Sequence, residues 1–187
     1  MRSVFALIST VFILLLGLGL SGCGRSDDKV EAARESTAMD NRENLTLEDR
    51  EFVLYASEMH MGEIDMAKQA RERSTNKDIV KYADAVIAKH VEAANRLSDK
   101  MSEQPGLVSS NASMDTQNHV EFLSALSGIE YERQFIDLMI ADHQDASNTF
   151  RTHLGVVQNK NLKSYLEDTS PALEDLLRDA RKLQTKR

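Results

Sequence analysis

Residues 77–97 read KDIVKYADAVIAKHVEAANRL, and this stretch decides the fold. Ile79, Ala83, Val86, His90, Ala93 and Leu97 recur at alternating steps of four and three, the spacing that lines side chains along one face of an α-helix. A half-buried strand would need apolar residues at every second position, which this stretch does not have. One polar side chain, His90, sits in the middle of the apolar stripe.

The pattern extends in both directions. Upstream, a helix is expected over 48–74, after Thr46 as N-cap, with Phe52, Ala56, Met59, Glu63, Met66 and Ala70 inward. The helix containing the opening stretch should run from Lys77, after Asn76 as cap, to about Glu103, where Gln104-Pro105-Gly106 stops it. A polar loop over 107–114 leads to a short helix over 115–126, ended by Ser127-Gly128. Ile136, Met139, His143, Ala146, Phe150 and Leu154 mark a helix over 129–154, and Leu162, Leu166, Thr169, Leu173, Leu176, Ala180 and Leu183 one over 159–183. Pro171 should kink this last helix, since an interior proline removes a hydrogen bond.

Shifting the chain by 83 positions superposes the first two long helices on the last two without a gap. Phe52, His60, Asn76, Lys77 and Tyr82 meet Phe135, His143, Asn159, Lys160 and Tyr165. Two copies of a helical hairpin are implied. The roughly 20 residues between them can span a bundle about 40 Å long. The expected fold is therefore an all-α, ferritin-like four-helix bundle of two repeated hairpins, with a long crossover containing a short extra helix.

The beginning of the chain has a different character. Arg2 precedes a nearly continuous apolar run from Val4 to Leu20, followed by Leu20-Ser21-Gly22-Cys23. This reads as an export signal, and the tetrad resembles the lipobox of bacterial lipoproteins, which implies cleavage before Cys23 and lipid on its sulfur. Three regions are expected: a signal over 1–22, a lipidated tether over 23–46 that is charged and poor in bulky apolar residues, and a bundle over 47–187. Cys23 is the only cysteine, so no disulfide staples the fold. Without the signal the chain carries 22 Lys+Arg against 30 Asp+Glu, a net charge of −8; that balance argues against nucleic acid as a partner.

Glu63, His60, His90 and His143 all fall near the midpoints of their helices, and metal ligands in bundles project inward at a common height from several helices. Imidazole with carboxylate suits zinc, iron, copper or nickel. Asp142 or Asp145 is placed to orient a ring from behind. Each histidine taken singly also reads as a hydrogen-bonded core residue; convergence at one level is what favours a metal. A di-iron oxidase is not expected, because such bundles carry Glu-x-x-His on two helices and no histidine here has a glutamate three residues before it. Met59 and Met61 read as core residues, His119 and His153 as surface or helix-end histidines.

Phe52-Val53, Glu63-Ile64-Asp65, Tyr82-Ala83, His90 with Ala93, Leu126-Ser127-Gly128, the segment from Phe135 to His143, and Ser170-Pro171 together resemble the bacterial domain of unknown function 4142 family over residues 48–184. The resemblance implies a ferritin-like bundle in an exported protein, with no established reaction. Three positions depart from the family pattern: His60 stands where glycine is usual, Lys89 replaces an aspartate, and Leu176 stands where a histidine often occurs. The last two weaken a metal site carried over from the family.

The expectation is a non-catalytic lipoprotein held by lipid on Cys23 at the periplasmic face of the outer membrane, since Gly24 is not the aspartate that resembles an inner-membrane retention signal. Its bundle is expected to bind a transition metal such as Zn, Fe or Cu, or a small ligand. The alternative is a structural module without a metal site that binds an envelope protein partner.

Overall fold

The computed structural model describes residues 44–185. The signal, Cys23 and nearly all of the expected tether lie outside the described residues. Five helices follow in order: α1 Leu47–Arg73, α2 Lys77–Lys100, α3 Met114–Ser124, α4 Gly128–Leu154 and α5 Lys160–Thr185. No strand occurs among the described residues, so the domain is all-α. No described helix is long and apolar enough to cross a membrane.

Thr46 caps α1 as expected, in a reciprocal box: its side chain accepts from the Asp49 amide at 3.0 Å, and the Asp49 carboxylate accepts from the Thr46 amide at 2.9 Å. Leu45, assigned to the tether on composition, is buried in the core. Asn76 accepts from the Asp78 amide, and its repeat mate Asn159 accepts from the Leu162 amide, both at 3.0 Å. The two hairpins thus start their second helices with the same device. After α2 the chain turns through Gly106, whose φ of 82° suits a residue without Cβ. α5 runs as one helix through Pro171, which lies on its exposed face where water can serve the freed carbonyl.

α1 packs on α2, α4 on α5, and α2 on α5, while α1 and α4 touch more lightly. One apolar cluster joins Phe52 near the start of α1, Leu97 near the end of α2, Phe150 near the end of α4 and Leu162 near the start of α5. α1 and α5 therefore run in one direction, α2 and α4 in the other. α2 ends where α4 also ends, so the connection over 101–127 must climb the bundle, and it carries α3 against α1.

α3 is fixed on α1 at three heights. Gly62 lets it approach: a Cβ there would meet Thr116 Cγ2 at 2.0 Å. Gln69 donates to the Val120 carbonyl at 3.2 Å. Arg73 donates to the Ser124 and Leu126 carbonyls at 2.9 and 2.5 Å, placing a cation at the negative end of the α3 dipole.

The core is in two parts. One cluster gathers Met66, Ile79, Val86, Phe135 and Met139; the other gathers Phe52, Ala56, Leu97, Phe150 and Leu166. On α1, α2 and α4 the polar side chains between them are His60, Glu63, His90 and His143, all buried.

Candidate metal centre

Burying polar side chains is costly unless they find partners, and the three histidines find one another. The Tyr165 hydroxyl lies 2.6 Å from His60 Nε2, His60 Nδ1 lies 3.0 Å from His90 Nδ1, His90 Nε2 lies 3.2 Å from His143 Nε2, and His143 Nδ1 lies 2.7 Å from the Met139 carbonyl. A carbonyl only accepts, so His143 carries its proton on Nδ1. His143 Nε2 then accepts from His90 Nε2, His90 Nδ1 accepts from His60 Nδ1, and His60 Nε2 accepts from Tyr165. Four groups donate in a single direction along the chain.

The rings are neutral. Burial above all, with the charge of His143, holds His60 down to about 3; burial holds His143 down to about 4, against the pull of the Met139 carbonyl. His90 is also lowered well below the usual histidine value, by burial first and then by the other two rings. Neutral imidazoles are the form that binds metals.

Glu63 stands against this chain without being absorbed by it. Its carboxyl, with His90 and His143, forms a buried group whose ligand atoms lie within 4.8 Å of one another. Its Oε2 is buried with no hydrogen-bond partner, and so is the Tyr82 hydroxyl, whose ionisation is opposed by burial and then by Glu63. Burial raises Glu63 well above the ordinary carboxylate value, and Asp142 raises it further, by its charge and by a hydrogen bond between the two carboxyls.

These residues fit a cation. The Nε2 atoms of His90 and His143 are 3.2 Å apart, so one ion at metal–nitrogen bonds of about 2.0–2.1 Å would subtend about 100° between them, near the tetrahedral angle. Glu63, on losing its proton, would supply the third ligand and the counter-charge. Two nitrogens and an oxygen suit Zn, Fe or Cu alike.

The structure thus brings together three of the four expected ligands. His60 is the exception: it stands outside the group whose ligand atoms lie within 4.8 Å of one another, and its ring bridges His90 and Tyr165, so it braces His90 from behind. Asp142 and Asp145 do not orient the rings. Asp142 sits 3.8 Å from His119 and shares a hydrogen bond with Glu63, Asp145 accepts from Tyr55 at 3.4 Å, and the ring of His143 is fixed by the Met139 carbonyl one turn back on its own helix. His153, expected at the surface or at a helix end, lies in the last turn of α4, where it stacks on Phe52 at 4.4 Å and bonds Asp49 at 2.8 Å, with 11% of its side chain exposed. Met59 is partly buried and packs against the Phe52 cluster. The sequence reading missed the roles of Tyr165 and Tyr82; their only signal was that they are repeat mates.

A family model described as "Domain of unknown function (DUF4142)" matches residues 34–183. Among solved structures, the chain is similar to one titled "Crystal structure of DUF305 fragment from Deinococcus radiodurans", with 19% identity over 76% of this chain and 98% of that one and a TM-score of 0.67. At that identity the likeness bears on the fold alone. No curated protein matches.

Proposed function

The chain belongs to the DUF4142 family, and we propose that it is an exported, lipid-anchored envelope protein that holds one transition-metal ion between Glu63, His90 and His143 without catalysing a reaction. The observation that carries the metal is the buried, unpartnered Glu63 Oε2 beside two neutral imidazole nitrogens at a chelating distance. A buried polar atom without a partner costs roughly 1–3 kcal/mol, and a cation removes that cost. The anchor rests on Leu20-Ser21-Gly22-Cys23, and the periplasmic face of the outer membrane on Gly24. The lack of a Glu-x-x-His pair speaks against oxidase chemistry.

One observation favours a second reading, a structural module that binds an envelope protein: the histidine chain from Tyr165 to Met139 satisfies itself with no ion. That reading leaves Glu63 Oε2 and the Tyr82 hydroxyl without a role. Element analysis of the full-length protein after metal loading and desalting decides between them. About one equivalent of Zn, Fe or Cu in the unmodified protein, and none in the His90→Ala, His143→Ala double variant, is expected. Equal content in the two would overturn the metal reading.

A further inference from the structure

His90 and His143 are each about 1% exposed, and Glu63 about 2%, so an ion needs a way to them. Glu63 reaches a pocket of about 340 Å³ between α1, α3 and α4. Its wall carries four further carboxylates, Glu58, Asp115, Asp142 and Asp145, together with His119, and no lysine or arginine. Two other surface cavities do not touch the triad; the one beside Arg151, Arg178, Arg181 and Lys182 is lined by cations, and the one beside Phe52 and Val156 lies toward the helix ends.

We propose that this pocket is the loading route of the metal centre: its carboxylates capture a hydrated divalent cation and pass it inward through Glu63 to His90 and His143. The route rests on the metal-binding reading and adds to it where the ion enters and which side chains set the speed. The unpartnered Glu63 Oε2 marks the inner end of the path, and α3, pressed on Gly62 through Thr116, roofs it. A cleft lined by one sign of charge concentrates counter-ions and raises their association rate by about ten- to a thousandfold, an effect that salt screens.

Stopped-flow mixing of the full-length protein with Co²⁺, followed by its visible ligand-field absorption, tests this. Glu58→Gln, Asp115→Asn and Asp145→Asn together leave the three ligands untouched. The association rate constant at low salt should fall by about tenfold or more, its dependence on ionic strength should flatten, and the final absorption band should keep its position. Glu58→Lys alone should slow association further than Glu58→Gln alone, and circular dichroism of each variant checks that the helices persist. Rates within twofold of the unmodified protein, with the band intact, would overturn the route while leaving the metal centre standing. No band in the unmodified protein would overturn the centre and the route together.

Discussion

The Nδ1 atoms of His60 and His90 face each other at 3.0 Å, so one proton lies between them and its owner is set by what His90 does with its other nitrogen. In the metal-free protein that proton belongs to His60. An ion on His90 Nε2 takes the lone pair, moves the ring proton to Nδ1, and makes His60 the acceptor. His60 then carries its proton on Nε2 and donates to Tyr165. The buried Thr169 hydroxyl, which lies within reach of Tyr165, is the next acceptor. Nitrogen-15 NMR of the imidazoles before and after one equivalent of Zn²⁺ should show His60 and His90 exchanging tautomers while His143 keeps Nδ1–H. Unchanged tautomers at His60 would contradict this coupling.

Glu63 should trade stability for binding. Glu63→Met removes a buried carboxyl without removing much volume, and should raise the metal-free stability by about 1 kcal/mol. The same change should weaken metal binding by at least about a hundredfold, or roughly 3 kcal/mol. Urea unfolding with and without metal measures both. A variant less stable than the parent without metal would mean that the carboxyl already has a satisfying partner.

Acid should unfold the metal-free protein early. In the unfolded chain the three rings titrate near 6.5, whereas His60 and His143 are held at about 3 and 4 in the fold and His90 well below its usual value. Between those limits the unfolded state binds protons that the folded state refuses. Stability is therefore full above about pH 6.5 and lost as pH falls toward 4. Glu63 runs the opposite way: raised above 4.5, its contribution is present at low pH and lost as pH rises. Three rings against one carboxyl leave a net fall with acid. Urea midpoints from pH 7 to 4 should decline, and His90→Gln should flatten the decline.

Gly62→Ala should disturb α3 first. The added methyl meets Thr116 within 2.0 Å, an overpacking that costs about 1–3 kcal/mol, and α3 is the neighbour that gives way. Hydrogen exchange should accelerate over 114–124 while α2 and α5 keep their protection. Arg73→Ala, which frees the other end of α3, should speed the same amides by a smaller factor.

The positions of the histidines were legible because seam residues recur at helical spacing and His90 and His143 interrupt otherwise apolar stripes. Their chemistry was less so. That His60 braces instead of ligating depends on which edge of each ring faces which neighbour, a property of packing. The Met139 carbonyl could not be seen at all, since every residue has one. Tyr165 lies beside the Leu162 and Leu166 stripe positions and looked like a repeat marker. The second hairpin places Ala146 and Leu173 where the first has Glu63 and His90, so the repeat supplies the frame twice and the complete ligand set once. His153 was legible as a helix-end histidine, but its burial was not, because its partner Asp49 is more than a hundred residues away in sequence.

The polar layer between the two apolar clusters also bears on how the molecule comes apart. Two oily compartments share the same long helices, yet the level between them is occupied on α1, α2 and α4 by His60, Glu63, His90 and His143, with Ile64 and Ala93 as its buried apolar neighbours. A metal-free bundle with such a seam can fray from either end as far as the layer and stop there. An ion seated between Glu63, His90 and His143 would clasp three helices at once and make the two compartments yield together.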